Sequence, residues 1–136
     1  MDQRDRISLE SIYMEFALLL SKRSTCDRAQ VGTIITSYNL EEIYAIGYNG
    51  GAKGQNNNCE SNKPGLCGHI HAEENALIKC FVNDPSKLMF TTMLSCRMCA
   101  KKMVNSGFSK VYYHTDYREQ DSIKILNQAG IQLEKL

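Results

Sequence analysis

Leu88-Met89-Phe90-Thr91-Thr92-Met93-Leu94 runs directly into Ser95-Cys96-Arg97-Met98-Cys99. The first seven residues are almost continuously apolar or β-branched, the pattern of a central strand buried on both faces. The two cysteines that follow stand three residues apart, so at a helix start their side chains share one face. The spacing predicts a helix over Cys96–Ser106, with Gly107 as its C-terminal cap. A buried strand feeding a helix that opens on a cysteine pair sets the frame for the rest of the chain.

Towards the N-terminus, a second helix is expected from about His71 to Phe81, stopped by Asn83-Asp84-Pro85. Ser8–Lys22 reads as a helix with Ile12, Phe16, Leu19 and Leu20 on one apolar face. Val31–Ser37 and Ile43–Tyr48 form an expected antiparallel hairpin about the turn Tyr38–Glu42. Gly51 to Gly68 is a long loop rich in Gly, Asn and Lys, holding Asn56-Asn57-Asn58, Cys59, Pro64 and Cys67. A loop of that length needs pinning or a function. Towards the C-terminus follow a strand at Val111–His114, a helix at Asp121–Ala129 ended by Gly130, and a short strand at Ile131–Leu136. The order α-β-β-α-β-α-β-α-β has alternating units in its second half, which implies parallel strands joined by crossovers. The expected fold is a three-layer α/β/α domain, residues 1–136, with a five-stranded mixed sheet between helices.

The 136 residues carry 16 Lys and Arg against 15 Asp and Glu, a net charge of +1 with the signs interspersed. No basic stripe advertises a polynucleotide partner. No apolar run approaches the roughly 20 residues of a membrane span. The polar start Met1-Asp2-Gln3-Arg4-Asp5-Arg6 is unlike a secretory signal, so a cytoplasmic setting and no membrane partner are expected. In a reducing compartment the six cysteines point to metal rather than to disulfides.

His71, Cys96 and Cys99 make a three-ligand zinc set that leaves the fourth tetrahedral corner open for water, as catalytic sites do. Both motifs sit at helix starts, where unpaired N–H groups and the dipole favour thiolate. Glu73, two residues from the histidine, is the candidate proton shuttle. The competing reading of Glu73 alone is an acid that complements the helix dipole. Glu74 reads as a solvated surface acid. The remaining Cys26, Cys59, Cys67 and His69 form a closed Cys₃His set suited to a second, structural zinc. Against that stands a set of free thiols with a loop histidine. Cys80 reads as a small core residue and His114 as a structural histidine.

His-x-Glu followed by Pro-Cys-x-x-Cys is the signature of zinc deaminases. With Val31-Gly32, Gly47-Tyr48-Asn49-Gly50, His71-Ala72-Glu73, Asn75-Ala76, Cys96-x-x-Cys99-Ala100-Lys101, Val111-Tyr112 and Tyr117, the chain resembles the deoxycytidylate deaminases of the zinc-dependent cytidine deaminase superfamily from about Leu9 to Leu133. The resemblance implies a cytidine-deaminase-like fold and hydrolysis of dCMP to dUMP and ammonia, feeding thymidylate synthesis. It also implies a homohexamer activated by dCTP and inhibited by dTTP, with magnesium accompanying the bound triphosphate. Gly47, Tyr48, Asn49 and Gly50 are then effector residues, Asn49 also meeting the substrate sugar, and Tyr117 lies near the substrate. Arg28 is open between a phosphate contact and a solvated surface residue. Arg97 is open between substrate and solvent. Ser95 departs from the pattern, standing where the signature has proline; serine caps helices well, so the geometry is expected to survive. The alternatives are a zinc deaminase of free cytidine, deoxycytidine or tRNA adenosine, and a non-catalytic zinc module.

Overall fold

The computed structural model describes residues 5–61, 63 and 67–136. Pro64 and the first four residues of the polar N-terminus lie outside them. Among the described residues the chain runs α1 (Leu9–Ser21), β1 (Gly32–Thr36), β2 (Ile43–Tyr48), α2 (Ala72–Lys79), β3 (Leu88–Met93), α3 (Arg97–Ser106), β4 (Lys110–Thr115), α4 (Asp121–Gln128) and β5 (Gln132–Lys135). The strands form one sheet in the order β2-β1-β3-β4-β5. β1 is antiparallel to both β2 and β3, whereas β3–β4 and β4–β5 are parallel. The expected five-stranded mixed sheet is present, parallel in its second half.

Alternation along the central strands sends successive side chains to opposite faces. Ile34, Phe90 and Tyr112 face α1 through Met14 and Ala17. Ile35, Met89 and Val111 face Ala76 of α2, Ala100 and Met103 of α3, and Leu126 of α4. Phe90 stacks on Tyr112 with ring centroids 4.6 Å apart. Complete burial of a side chain such as Phe90 contributes about 1.5–3 kcal/mol.

α1 keeps its expected place but only part of its expected face: Phe16 and Leu20 pack against the core, whereas Ile12 and Leu19 turn outward. Ile12 is 41% exposed and Leu19 62%, while Met14, Ala17 and Ser21 are buried. The reason lies in β1. A Cβ at Gly32 would fall on the Ala17 carbonyl oxygen and 2.7 Å from the Ser21 nitrogen. The helix approaches the sheet so closely that small residues must take the contact line, and the bulky Ile12 and Leu19 rotate outward. α2 uses the same device at Gly47, where a Cβ would meet the Ala72 carbonyl and come within 2.6 Å of the Ala76 nitrogen. Gly47 thus sets how deeply the start of α2 sinks onto the sheet. α2 also ends early, at Lys79, because Cys80 turns extended, and Phe81 is 92% exposed.

The long loop is pinned at both ends by a single bridge, Gly50 N–H to the Ile70 carbonyl at 3.1 Å and its reciprocal at 2.8 Å. α3 ends at Gly107, whose φ of 84° favours glycine. The buried Lys87 ammonium closes that end, donating to the carbonyls of Ser106, Gly107 and Asp84 at 2.6, 2.7 and 3.0 Å. Among the described residues, no helix is long and apolar enough to cross a membrane.

Candidate active site

His71 is the N-cap of α2 and Cys96 the N-cap of α3, each with extended backbone. The two helix starts bring His71 Nδ1 to 3.2 Å from Cys99 Sγ and 3.5 Å from Cys96 Sγ. Zinc bonds of about 2.3 Å to sulfur and about 2.0–2.1 Å to nitrogen place ligand atoms roughly 3.6 Å apart in a tetrahedron. A nitrogen and two sulfurs at this separation fit a zinc ion, and the donor set is the one zinc prefers. The Cys99 N–H points at Cys96 Sγ at 3.4 Å, so the opening of α3 stabilises negative sulfur.

The charges within this trio are unequal. Hydrogen bonding from Cys99 brings Cys96 down to about 4 against the cost of burial. Hydrogen bonding to Cys96 lifts His71 to about 9. Cys99, whose own proton serves Cys96, is raised. At pH 7 the metal-free trio therefore holds two protons, on His71 and Cys99. Both must leave for all three atoms to ligate. Zinc binding to this trio should release about two protons near pH 7. Calorimetry in buffers of different ionisation enthalpy, on a Cys59→Ser protein so that one cluster titrates, measures this; release of fewer than one would contradict it.

Glu73 is 4% exposed. Burial drives its carboxyl upward, and the charge on His71 offsets this only in part. Glu74 does not behave as a surface acid. One of its oxygens accepts the His71 N–H at 2.9 Å and the other pairs with Lys102 on α3. It closes the first turn of α2 and ties that helix to α3. The sequence signal was the three-residue spacing from the N-cap, which marks a capping position rather than a solvated one.

The second cluster also assembles. One ligand atom from each of Cys26, Cys59, Cys67 and His69 lies within 4.8 Å of the others. His69 Nε2 meets the Asn57 carbonyl at 3.1 Å, while Nδ1 is buried without a partner. A buried ring nitrogen without a partner among three thiols is a donor set that fits a metal ion. Burial pushes the Cys26 thiol up, but the N–H groups of Ala29 and Arg28 and the His69 ring outweigh it and lower its pKa. All six cysteines are free, with Cys80 packed at the edge of the core.

A cavity of about 570 Å³ opens between the clusters, lined by His71, Glu73 and Cys96 on one side and Cys26, Cys67 and His69 on the other. Asn49, Arg28 and Tyr117 also line it. Asn49 is buried, its oxygen accepting the Val31 N–H at 2.9 Å and its nitrogen donating to the Ala29 carbonyl at 2.7 Å. One N–H and one lone pair remain for a ligand. Arg28 donates to the loop carbonyls of Lys63, at 2.6 Å, and Ser61. It is a strut to the long loop, with three of its five N–H groups left over. Arg118, which the sequence reading passed over, lines the same cavity with its guanidinium 4.5 Å from the centre of the Tyr117 ring. The exposed Arg97 and His114 are not among the lining residues, and His114 Nδ1 lies 2.8 Å from the Leu136 carbonyl. Of the Gly47–Gly50 stretch, Tyr48 lies away from the cavity between Arg23 and Lys79, whose charges stand 5.6 and 6.0 Å from its ring centre.

The sheet order and the cysteine–histidine helix starts define a metal-binding α/β protein. Residues 7–115 match the family model described as the cytidine and deoxycytidylate deaminase zinc-binding region. The chain belongs to that family. It is 32% identical over 145 residues to the deoxycytidylate deaminase of Schizosaccharomyces pombe, matching 96% of this chain and 44% of that protein. It is 31% identical to the ComE operon protein 2 of Bacillus subtilis, covering 97% of this chain and 73% of the other. The chain spans under half the length of the two yeast relatives it matches. Among solved structures, the dCMP deaminase of cyanophage S-TIM5 in complex with dCMP and dUMP superposes with a TM-score of 0.86 at 33% identity, over 98% of this chain and 100% of that one.

Proposed function

We propose that the protein is a zinc-dependent hydrolase that converts dCMP to dUMP and ammonia. The observation that carries this reading is Glu73, a buried carboxyl sharing a cavity with a three-ligand cluster. A structural site has no use for such a group. The cyanophage protein of the same fold, bound to dCMP and dUMP, supports the choice of substrate. Zinc held by His71, Cys96 and Cys99 supplies Lewis acidity that lets water ionise near neutral pH. Glu73 takes a proton from the attacking water and passes it to N3 of the cytosine ring as the oxygen bonds to C4. A second proton goes through Glu73 to the amino group. The C4–N bond then breaks, ammonia leaves and a carbonyl remains at C4. Asn49 offers its spare amide valences to the sugar, Tyr117 walls the cavity beside the substrate, and Arg28 meets the phosphate with its unused N–H groups.

Cys26, Cys59, Cys67 and His69 hold a second zinc that fixes the long loop over the cavity. For the effectors dCTP and dTTP, with magnesium, the supporting observation is Tyr48, an aromatic face between the cations Arg23 and Lys79. Gly47 and Gly50 flank it in the chain, and Asn49 links this stretch to the substrate cavity.

The test is ammonia release by the zinc-loaded protein from dCMP, deoxycytidine and cytidine, each with and without dCTP or dTTP. Turnover of dCMP far above both nucleosides, raised by dCTP and lowered by dTTP, is expected. Equal turnover of the nucleosides would keep the chemistry and remove the phosphate role of Arg28. Absence of release from all three would overturn the reading and direct assays to tRNA adenosine.

A further inference from the structure

The stretch that carries Asn49 is joined to the Glu73 helix through one side chain. β2 is an edge strand, with β1 on one side and no strand on the other. Tyr48 stands opposite Gly32, and the next residue, Asn49, returns its N–H to the Val31 carbonyl at 3.4 Å. Backbone groups alternate in direction along an antiparallel pair, so those of Tyr48 turn to the open edge. There the Asn75 amide of α2 donates to the Tyr48 carbonyl at 2.9 Å. Among the described residues this is the one side-chain hydrogen bond between α2 and β2. The rest of that contact is shape: Gly47 lies against the Ala72 carbonyl and the Ala76 nitrogen. Close packing is non-directional, whereas a hydrogen bond fixes one position along the contact. On its other flank Asn49 is tied to the entry of β1, through the Val31 N–H at 2.9 Å and the Ala29 carbonyl at 2.7 Å. Asn49 is therefore fixed to the sheet by its own amide, and its neighbour Tyr48 is fixed to α2 by Asn75.

We propose that Asn75 is a positioning residue, its amide holding the Tyr48 carbonyl to α2 and so fixing the distance between Asn49 and Glu73. Both of these residues line the cavity, but they belong to separate elements. A substrate whose sugar rests on Asn49 must present its ring to a carboxyl carried by α2. The relative placement of the strand end and the helix then sets whether the bound ring stands where protons can be exchanged. Misplacement of about 1 Å can cost roughly a hundredfold in rate. Asn75 lies two residues beyond Glu73 on the same helix, so its bond anchors the strand end close to the reacting groups. The inference rests on the deaminase reading for its kinetic arm and on hydrogen-bond geometry alone for its structural arm.

Asn75→Leu keeps the volume and removes the donor, and Asn75→Ala removes both. In the zinc-loaded variants kcat for dCMP should fall about tenfold, with KM changed by less than about threefold, because substrate still engages Asn49 but stands displaced from Glu73. The deciding measurement is a double-mutant cycle with Asn49→Ala. If Asn75 acts through Asn49, its loss should cost less than about twofold once Asn49 is gone. Additive losses in the cycle would assign Asn75 a general structural role and overturn the proposal. Wild-type kinetics in both single variants, or a loss confined to KM, would overturn it as well. If Asn75→Ala does not fold, Asn75→Leu carries the cycle. Crystal structures give a readout that needs no turnover. In zinc-loaded Asn75→Leu, residues 48 and 49 should move relative to α2 as compared with the wild type, while His71, Cys96 and Cys99 stay in place. An unmoved Asn49 would overturn the proposal. If the wild type deaminates none of the pyrimidines tested, the deaminase reading fails instead, and the crystallographic comparison alone decides the role of Asn75.

Discussion

Glu73→Gln should reduce dCMP turnover by about a thousandfold or more while leaving zinc bound and the fold intact. Positioned acid–base groups contribute roughly 10²–10⁴ in rate, and here one carboxylate is asked to carry every proton in the reaction. Glutamine keeps the shape of Glu73 and cannot take up a proton. The stability side has a definite sign. Burial raises the Glu73 pKa above its unfolded value, so the folded state pays for ionisation at neutral pH. That contribution favours folding below the unfolded pKa and is lost as pH rises through the folded one. Removing the charge should therefore leave the metal-free variant at least as resistant to thermal unfolding near pH 7 as the wild type. A stable, zinc-loaded, inactive protein is a combination that a merely structural acid at a helix start does not produce. Turnover within tenfold of wild type would remove Glu73 from the chemistry. A lower melting temperature would show that its carboxylate stabilises the fold.

The clustering of the candidate metal ligands was legible because metal chemistry constrains residue type and spacing together. Cys-x-x-Cys and His-x-Glu at two helix starts left few other uses, and the structure brings both sulfurs of the first and the histidine nitrogen of the second into a single cluster. The strand order was legible through alternation and loop lengths. The contact face of α1 was legible only in part, through Phe16 and Leu20. Hydrophobicity alone selects Ile12 and Leu19, whereas Gly32, on a strand eleven residues beyond the helix end, fixes Ala17 and Ser21 as the contact line. Such a decision belongs to two surfaces and is invisible in either one. Glu74 and Arg28 show the same limit among charged residues. Each looked solvent-directed or ambiguous in sequence, and each is held by a group that local periodicity does not bring near it: Glu74, besides its own N-cap three residues away, by the Lys102 ammonium across a helix pair, and Arg28 by carbonyls of a distant loop.

Cys59→Ser should have the second large effect, acting on substrate affinity through the loop. Cys59 is the one member of the Cys₃His cluster that does not line the cavity, so its loss touches the reacting atoms only indirectly. Zinc content should fall from two equivalents to one. Structural zinc holds small folds with an apparent 10–16 kcal/mol; here the ion holds a loop, and the loss is confined to what that loop organises. Two things depend on it. The His69 Nδ1 becomes a buried polar atom with no partner, which costs about 1–3 kcal/mol. Arg28 loses its fixed acceptors at Ser61 and Lys63, and the guanidinium is no longer held at the cavity wall. A charged hydrogen bond of about 1.5–3 kcal/mol to the substrate phosphate is then lost or paid for in ordering. The expected result is a KM for dCMP raised about tenfold or more, a smaller change in kcat, and new protease cleavage within residues 51–61. Deoxycytidine, which has no phosphate, should be affected far less, and that difference separates loss of the Arg28 contact from general loosening of the site. Equal loss on both substrates would assign the loop a purely structural role. Unchanged zinc content would show that these four side chains do not hold a metal.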